Sequence, residues 1–407
     1  MSKTLRSKWI FGILLVFVVL LTFTYMELTQ RVIIEQTKIF LPQINPSFAA
    51  FCKRIIKGDR DTITEAKEIM DHSSKHITSP EEYMNLTKDC SKFKRVRGYI
   101  MTALDAKERD FPLAFSINIY KHVEQFERLL RAIYRPQNFY CIHVDKKSPD
   151  IFYHAVEAIA ACFPNIFLAS KRINILWGDF TILESILLCS RDLLSHEKPW
   201  KYLINLTGQE FPLRTNNEIV DILHKMNGFS IVPAKLAIDS KTRNRFLYVH
   251  RDLKRTEILK KKFRINFTFY KGSVYTVLTR MFVNYTLYDK LALDFWEWLK
   301  DTAHPDETFH STLYQNIKLE GHRNGTVKNP HTRYVVWHKD RCHGKTVRDV
   351  CINGVGDLKA IARSPALFVN KFYLDYEHLA LDCLETWFQE RTLYYYASKE
   401  RIKDEIS

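Results

Sequence analysis

The chain has 407 residues, with 61 Lys or Arg against 46 Asp or Glu, so its formal net charge is +15. The length and a hydrophobic fraction of 46% allow one large core or two smaller fused ones. A basic surface suits nucleic acid, anionic lipid or a phosphorylated ligand. No zinc-finger spacing or RNA-binding signature occurs, so nucleic acid is the weakest candidate and no such partner is predicted.

The chain begins with a short basic segment followed by an uncharged one. Lys3, Arg6 and Lys8 precede WIFGILLVFVVLLTFTY at residues 9–25. This run is at the short end for a membrane span, and the positive charge before it favours a cytoplasmic N-terminus. No small-x-small cleavage site follows the apolar run, which favours an uncleaved anchor over a signal peptide. We therefore predict a cytoplasmic tail at 1–8, a transmembrane signal anchor at 9–25, a short lumenal stem at 26–50, a lumenal domain at 51–390 and a polar tail at 391–407.

Cysteines and glycosylation sequons agree with a lumenal domain. All eight cysteines lie beyond the anchor, which suggests disulfide bonds in an oxidising compartment. No CxxC occurs, and this argues against a zinc site or a thioredoxin-like centre. N-glycosylation is predicted at Asn85, Asn266, Asn284 and Asn324. The sequon at Asn205 lies in an apolar strand pattern and is predicted to be unused.

Strand-like and helix-like segments alternate from Phe111 onward. The predicted strands are FPLAFSINI, NFYCIHVD, NIFLAS and KYLINLTG. The helices between and after them are HVEQFERLLRAIY, SPDIFYHAVEAIAACF, FTILESILLCSRDLLS and NNEIVDILHKM, with Ser148 and Thr215 as N-caps of the second and fourth. This alternation predicts an α/β fold with a mainly parallel sheet, whose ligands bind beyond the carboxyl ends of the strands. The first turn has no glycine, and no GxGxxG or P-loop pattern follows a strand.

The second half of the chain changes character. Basic residues cluster from Lys241 to Arg264; then KGSVYTVLT predicts a strand, LALDFWEWLKD a helix and RYVVWHKD a short strand. TAHPDETFHSTL, at 302–313, predicts a helix start with Thr302 as the cap and Glu307 in the first turn. Because acids are common in first turns, this pattern alone favours a structural role for Glu307. Asp145, after the second strand, suits either a ribose or base contact or a cap of the next helix.

Several segments resemble recurring segments of the core 2/I-branching β-1,6-N-acetylglucosaminyltransferase family. In this chain they read ERLLRAIYRPQNFYC, FYCIHVDKKS, KYLINLTGQEFPLRTN, AHPDE, RDVCINGVGDL and LFVNKF. The resemblance covers roughly residues 52–388. It implies a GT-A type fold, in which a Rossmann-like nucleotide-sugar sheet (about 110–235) is fused to an acceptor-binding sheet (about 236–390). It also implies four disulfide bonds, Cys52–Cys383, Cys90–Cys162, Cys141–Cys189 and Cys342–Cys351.

The resemblance implies an inverting single displacement in which Glu307 removes the proton of the acceptor hydroxyl. Most GT-A enzymes hold Mn²⁺ with Asp-x-Asp, because the leaving group is a diphosphate. The only such motif here, Asp59-Arg60-Asp61, lies upstream of the nucleotide sheet and is predicted to be on the surface. The family uses two basic side chains instead, and the matching residues are Arg348 and Lys371. No metal and no other cofactor is therefore predicted.

Further site residues follow from the same resemblance. The predicted contacts to the UDP-sugar donor are Asn118, Ile119, Tyr120, Asp145, Lys146, Lys147, Trp177 and Val335, and those to the acceptor are Trp337 and Arg243. Trp177 and Lys339 each stand where the family has a tyrosine, and the loop at 232–245 is shortened. These departures leave the reaction class intact and both sugars open, with UDP-GlcNAc as the default donor and UDP-Glc as an alternative.

The predicted function is transfer of a sugar from a UDP-sugar to an O-glycan core by a type II protein of the Golgi membrane. The predicted linkage is β-1,6 to the GalNAc of a mucin-type core 1 disaccharide. A peptide O-xylosyltransferase-like enzyme remains an alternative, although the cysteine pattern fits the branching enzymes better. A catalytically inactive Golgi glycan-binding protein is the alternative from another class. The sequence leaves the oligomeric state open.

Overall fold

The computed structural model describes residues 44–72, 75–196, 199–320, 331–337 and 341–406. The predicted anchor at 9–25, the Asn324 sequon and Lys339 lie outside these ranges. In the ranges that are described, no helix is long and apolar enough to cross a membrane.

The described residues form a mixed α/β structure. Its strands are β1 (Leu113–Ile119), β2 (Phe139–Val144), β3 (Ile166–Leu168), β4 (Tyr202–Thr207), β5 (Glu210–Pro212), β6 (Ala234–Leu236), β7 (Tyr248–Arg251), β8 (Lys254–Leu259), β9 (Tyr270–Gly272), β10 (Val277–Thr279), β11 (Arg333–Val335), β12 (Lys345–Val347), β13 (Val350–Ile352) and β14 (Phe368–Asn370). Its α-helices are α1 (Pro46–Lys57), α2 (Arg60–His72), α3 (Pro80–Leu86), α4 (Cys90–Arg97), α5 (Ala106–Arg109), α6 (Val123–Ile133), α7 (Asp150–Ala161), α8 (Phe180–Leu194), α9 (Asn216–Met226), α10 (Ser240–Leu247), α11 (Arg280–Tyr288), α12 (Lys290–Trp298), α13 (Phe309–Ile317), α14 (Leu358–Arg363) and α15 (His378–Ile406).

The main sheet has the strand order β10-β4-β1-β2-β3. Strands β1 to β4 run parallel, and β10 is antiparallel to β4 at one edge. Along β1 the side chains alternate between two cores, as a pleated strand requires: Phe115 packs with α6, α7 and α9, whereas Ala114 packs with α8, α11 and α12. The predicted parallel sheet with helices on both faces is therefore confirmed.

A smaller sheet lies beyond the carboxyl end of β4. Strand β5 follows β4 after only Gly208 and Gln209, and the order in this second sheet is β11-β14-β5. Strand β14 is parallel to β11 and antiparallel to β5. A third core under this sheet is formed with α1, α14 and α15 and contains the Cys52–Cys383 bridge. The two sheets therefore meet where the ligands of the main sheet are expected.

All four predicted disulfide bonds are present. Besides Cys52–Cys383 these are Cys90–Cys162, Cys141–Cys189 and Cys342–Cys351. The bridge between Cys141 and Cys189 joins β2 to α8. The described cysteines are all paired. Disulfide bonds of this kind are typical of proteins in oxidising compartments.

Two predicted helix starts are wrong in detail. Helix α7 begins at Asp150, and the hydroxyl of Ser148 donates to the carbonyl of Tyr120 (2.9 Å) instead of capping this helix. Helix α13 begins at Phe309 rather than near Thr302, because His304 has a left-handed backbone (φ 50°) and a separate 3₁₀ turn follows at Pro305–Glu307. The cap predicted at Thr215 is confirmed as part of a capping box.

Other boundaries also differ. The single strand predicted for KGSVYTVLT is two strands, β9 and β10, which belong to different sheets. Helix α1 starts at Pro46, inside the range predicted as a stem, and Ala49 is buried there. Helix α15 continues to Ile406 through the predicted polar tail. The alternation of apolar residues located the elements, but packing between distant segments decided where they end.

Candidate active site

The carboxyl ends of β1, β2 and β4 meet at one edge of the main sheet. The backbone N–H of Asp145 donates to the carbonyl of Ile119, and that of Gly208 donates to Asn118, both at 2.9 Å. The Asn118 side chain donates to Ser185 Oγ (3.0 Å), while its buried Oδ1 accepts no hydrogen bond from a described residue. Residues Asn118, Ile119 and Tyr120, predicted at the donor, therefore do lie beside Asp145.

The loop after β2 is held by its own polar groups. The buried carboxylate of Asp145 accepts from the backbone N–H of Lys147 (2.9 Å), so it closes this turn and does not cap α7. The guanidinium of Arg172 donates to the carbonyls of Asp145 (3.2 Å) and Ser148 (2.9 Å). Lys146 and Lys147 are exposed on this loop. The arrangement fixes the loop backbone at the edge where a nucleotide is expected.

Arg348 lies at the tip of a hairpin beside this edge. It occupies a two-residue turn with Asp349 between β12 and β13, and both residues have positive φ (50° and 63°), as in type I′ hairpin turns. The Cys342–Cys351 bridge closes the base of this hairpin, and the N–H of Cys351 donates to the carbonyl of Val336 (2.9 Å). Arg348 is therefore an exposed cation on a tethered turn.

Lys371, directly after β14, lies close to Arg348. Burial lowers the pKa of Lys371, and the charges of Arg348 and Lys121 lower it further. Burial and the neighbouring Tyr373 raise the pKa of Tyr120 to about 12, while Arg348 acts in the opposite direction. Among the described residues no acid forms an ion pair with Arg348 or Lys371. Two of the predicted cations thus meet at the end of β1, where an anion would compensate them.

A cleft of about 660 Å³ lies beside β11 of the small sheet. It is lined by Ile231, Pro233, Lys271, Gly272, Ser273, Tyr275, Glu307, His331, Thr332, Arg333, Val335 and Trp337. Three predicted site residues, Glu307, Val335 and Trp337, are therefore brought together. The Trp337 ring is 55% exposed, so it is a cleft wall and not a core tryptophan. Such a flat apolar face suits the C–H groups of a sugar.

Glu307 is held at the cleft wall by two cations. Arg245 Nη1 donates to Glu307 Oε2 at 2.7 Å, and Lys271 Nζ lies 3.9 Å from the same oxygen. The preceding acid, Asp306, is buried, and burial together with the Glu307 carboxylate raises its pKa to about 7. Of the two adjacent acids, Glu307 is the one that lines the cleft.

Trp177 is joined to the segment that carries Glu307. Its ring is 59% exposed and meets the His304 ring edge-on, with centroids 5.1 Å apart. The carbonyl of Gly178 accepts from the N–H of His304 (2.8 Å). Gly178 has φ +74°, and a Cβ there would lie 2.8 Å from His304 Cε1. Glycine is thus required after Trp177, and the loop is held against the AHPDE segment.

The small sheet connects the cleft to the cation pair. In its register Val335 is paired with Asn370, the residue before Lys371, and Asn370 is paired with Glu210. Arg333, in the cleft wall, donates through Nε to the buried carboxylate of Glu210. The strand that carries Val335 of the cleft wall is therefore bonded directly to the strand that precedes Lys371.

Helix α10 carries one predicted acceptor residue and one residue that the sequence analysis did not name. Arg243 is exposed on α10, and Arg245 on the same helix reaches Glu307. Residues two apart in an α-helix point about 200° away from each other, so the two side chains leave the helix in different directions, and acceptor contact by Arg243 stays a prediction. The sequence analysis missed Arg245 and Lys271 as site residues, although the basic cluster from 241 to 264 already contained the first.

The Asp-x-Asp motif is not part of the site. Asp59 is exposed and caps α2, accepting from the N–H of Thr62 at 2.9 Å. Within the described ranges, one group of potential ligands is compact enough for a metal, Cys342, Cys351 and Asp357, and its two cysteines form a disulfide bond. A disulfide leaves no thiolate to bind a metal. Among the described residues that line the cleft, Glu307 is the single acid.

Comparison with known sequences decides the family. The sequence pattern described as Core-2/I-Branching enzyme matches residues 113–362, which contain the main sheet, Glu307 and Arg348. The chain belongs to this family. Membership in the Core-2/I-branching enzymes confirms the resemblance drawn from the motifs, and with it the predicted enzyme class, a glycosyltransferase.

Individual relatives cover most of the chain. A human N-acetyllactosaminide beta-1,6-N-acetylglucosaminyl-transferase is 42% identical over 308 residues, which is 72% of this chain and 76% of the relative. A human beta-1,3-galactosyl-O-glycosyl-glycoprotein beta-1,6-N-acetylglucosaminyltransferase is 34% identical over 398 residues, 92% and 93% of the two chains. A similarly named protein of bovine herpesvirus 4 (strain DN-599) is 35% identical over 84% of this chain and 83% of its own.

Proposed function

We propose that this family member transfers N-acetylglucosamine from UDP-GlcNAc to an O-glycan core and forms a β-1,6 branch on the GalNAc of core 1, with inversion. The observation that carries this proposal is the placement of Glu307 in a cleft that shares one small sheet with the cations Arg348 and Lys371. The names of the relatives support the class of donor and acceptor.

In the proposed reaction the acceptor hydroxyl oxygen forms a bond to the anomeric carbon of the donor sugar. The bond from that carbon to the β-phosphate oxygen breaks, and UDP leaves with the electron pair. The Glu307 carboxylate takes the hydroxyl proton as general base. Attack from the side opposite the leaving UDP inverts the anomeric configuration.

The surrounding side chains have distinct roles in this proposal. Arg245 orients the Glu307 carboxylate through the 2.7 Å hydrogen bond. Trp337 offers its exposed face to the acceptor sugar. Trp177 packs on His304 of the AHPDE segment, and its loop is bonded to the donor edge, where the N–H of Lys146 donates to the carbonyl of Ile173 (3.0 Å); we therefore assign Trp177 to the donor sugar. The edge formed by Asn118, Ile119, Tyr120 and the loop 145–147 is assigned to the uridine.

The proposed mechanism uses no metal. Arg348 and Lys371 stabilise the charge that develops on the diphosphate as the bond to the sugar breaks, because fixed cations near an anionic leaving group lower the barrier electrostatically. Their lack of acidic partners among the described residues supports this role. The capping role of Asp59 removes the chain's only Asp-x-Asp from consideration.

A second acceptor is favoured by one comparison. The relative with 42% identity is named for N-acetyllactosaminide, so the acceptor hydroxyl in the second candidate function is on the galactose of an N-acetyllactosamine chain. The reaction, the base and the donor are the same in both candidates. They differ in which acceptor sugar packs on Trp337 and beside Lys271.

We further propose that the enzyme is a type II protein of the Golgi membrane. The uncharged segment at 9–25 after three cations supports the anchor, and the four disulfide bonds support an oxidising lumen. The predicted glycosylation sites Asn85, Asn266 and Asn284 are exposed. Protection of the catalytic domain from protease in intact microsomes, with loss of protection after detergent, is the expected result; cleavage in intact microsomes would contradict this orientation.

The test of the function is a product analysis with purified protein from residue 44 onward. UDP-GlcNAc, UDP-Glc, UDP-GalNAc and UDP-xylose are each offered with core 1 disaccharide, N-acetyllactosamine chains and a Ser-Gly peptide. The expected product is a core 1 trisaccharide whose mass increases by one N-acetylhexosamine and whose linkage analysis gives 6-substituted GalNAc. Product on N-acetyllactosamine alone selects the second candidate, and xylose on the peptide selects a peptide O-xylosyltransferase. Glycan binding without UDP release from any donor would show an inactive glycan-binding protein.

A further inference from the structure

We propose that Lys121 is a third cationic ligand of the donor diphosphate and that Tyr373 holds Lys121 and Lys371 in place for this purpose. The inference rests on the proposed function, since it concerns the same donor. The sequence analysis assigned Arg348 and Lys371 to the diphosphate, and no role was assigned to Lys121 or Tyr373.

Lys121 lies where the donor is expected. It follows Tyr120 at the carboxyl end of β1, the central strand of the main sheet. Its Nζ is 3.8 Å from the centre of the Tyr373 ring, and Lys371 Nζ is 5.4 Å from the centre of the same ring. Both distances are within the range of cation–π attraction. One aromatic ring therefore fixes two ammonium groups that would otherwise repel each other.

The positive charge at this place exceeds the negative charge. Asp375 is the only acid within ion-pair distance of Lys121 among the described residues, at 3.9 Å, and it is half exposed and also 3.4 Å from His122. In the part of the chain that the structure describes, Arg348 and Lys371 have no such acid. Burial lowers the pKa of Lys121, Asp375 acts in the opposite direction, and the charge of Lys345 lowers the pKa further. Like charges gathered in a half-buried place are unfavourable unless an anion binds between them.

A nucleoside diphosphate has the chemistry to satisfy this site. Its oxygens are strong acceptors for ammonium and guanidinium groups, and its charge offsets the mutual repulsion of Arg348, Lys371 and Lys121. Lys121 directly follows Ile119 and Tyr120, which are assigned to the uridine, so the proposed diphosphate site is adjacent to the proposed uridine site. The competing explanation is a purely structural role. In that case Lys121 serves only to hold Asp375 against the residues that precede α6.

The experiment measures binding of UDP, UMP and uridine by titration calorimetry in metal-free buffer. Lys121→Met should weaken UDP binding about ten- to a hundred-fold, as expected for loss of a charge-assisted contact, and leave uridine binding unchanged. Lys121→Arg should recover part of the loss, because it keeps the charge. Lys300→Met is the matched control: Lys300 also lies over an aromatic ring, Trp296 (4.8 Å), but pairs with Glu297 outside the cleft.

Asp375→Asn separates the two explanations. If Lys121 binds the diphosphate, removing its competing acid leaves UDP affinity unchanged or raises it. If Lys121 acts only through Asp375, this variant weakens UDP binding as much as Lys121→Met, and the inference is overturned. Wild-type affinity for UDP in Lys121→Met would overturn it as well. Failure of the wild type to bind UDP at all would overturn the proposed donor together with this inference, so the two failures are distinguishable.

Discussion

Arg245 and Glu307 form an ion pair at the wall of the cleft, with Nη1 2.7 Å from Oε2. The arginine comes from α10 and its side chain is only 11% exposed, so its position is fixed by the protein and not by solvent. A general base must point towards the proton that it removes. When the partly buried arginine binds Oε2, it fixes the carboxylate plane and leaves Oε1 free to accept that proton. The pair therefore makes the geometry of Glu307 dependent on a residue 62 positions earlier in the chain.

Replacing the proposed base should abolish turnover without loss of the donor. Glu307→Gln keeps the size and the hydrogen-bonding shape but cannot accept the proton, and loss of a general base costs roughly 10²–10⁴-fold in rate. We expect kcat to fall by that factor while UDP affinity, measured by calorimetry, stays at the wild-type value. A rate within a few-fold of the wild type would show that another group removes the proton.

Arg245 should act through Glu307, and a double-mutant cycle can show it. We expect Arg245→Ala to slow transfer by about ten- to a hundred-fold when Glu307 is present, since residues in one ion pair couple by roughly 0.5–3 kcal/mol. In the Glu307→Gln background the same change should have little effect. Arg251→Ala, at an exposed arginine of β7 with no predicted site role, is the control and should leave kcat unchanged. Equal effects of Arg245→Ala in both backgrounds would mean that Arg245 acts independently.

The sequence predicted the framework of this site better than its catalytic surroundings. The main sheet, the helices that cover it and the cap at Thr215 follow from local periodicity and capping, which act within a few residues. The four bridges and the proposed roles of Glu307, Arg348 and Lys371 were accessible only through the family resemblance, because nothing local distinguishes a catalytic acid from an acid in a first helical turn.

Contacts between distant segments were not predictable in this way. Arg245 meets Glu307 because α10 lies beside the 3₁₀ turn, and Lys121 meets Tyr373 because the segment after β14 lies at the carboxyl end of β1. Arg245 was not named in the sequence analysis, because the orientation of a helix cannot be deduced from a cluster of ten basic residues without its packing partners. The start of α13 was misplaced for a related reason: His304 adopts a left-handed backbone that is supported by Gly178, more than 100 residues earlier.

Asp306 should make the stability of the wild type depend on pH. Its pKa is raised to about 7 from an ordinary value of 3.8, by burial and then by the Glu307 carboxylate. Between these values the folded state retains a proton that the unfolded state has lost, so the free energy of unfolding falls as pH rises from about 4 to about 7. The slope is at most about 1.4 kcal/mol per pH unit.

Thermal unfolding of wild type and Asp306→Asn from pH 4 to pH 8 measures this effect. We expect the Tm of the wild type to fall relative to that of the variant over the interval from pH 4 to 7 and to run parallel to it above. Glu307→Gln should narrow the pH interval over which the Tm falls, because it removes the second cause of the raised pKa of Asp306. A constant difference in Tm between wild type and Asp306→Asn at all pH values would contradict a protonated Asp306.

The Cys342–Cys351 bridge should matter for donor binding more than for folding. It closes the short hairpin whose turn carries Arg348. The N–H of Cys351 also donates to the carbonyl of Val336, the residue after β11. In Cys342→Ser/Cys351→Ser we expect UDP affinity to fall by up to about ten-fold, because the arginine must be ordered on binding. The control is Cys90→Ser/Cys162→Ser, which removes a bridge between α4 and the end of α7 and should lower Tm with UDP affinity unchanged. Equal UDP affinity in both double variants would show that the Cys342–Cys351 bridge does not contribute to UDP binding.

Transfer should continue in the presence of EDTA. In an Asp-x-Asp enzyme the chelator removes the cation that stabilises the departing diphosphate, and the rate collapses. Here Arg348 and Lys371 are the proposed source of that stabilisation, so Arg348→Ala and Lys371→Ala should each weaken UDP binding and slow transfer by about ten- to a hundred-fold, with or without EDTA.

Lys371→Arg is not expected to restore the rate fully, because a planar fork replaces a compact ammonium in a half-buried place. Asp59→Asn is the matched control for the misplaced motif: its amide oxygen can still accept the hydrogen bond that caps α2, so it should leave both the stability of α2 and the rate of transfer nearly unchanged. Loss of activity in EDTA that Mn²⁺ restores, together with wild-type rates for both alanine variants, would show that the metal-free mechanism is wrong and would make Asp145, the buried acid at the donor edge, the first residue to test as a ligand.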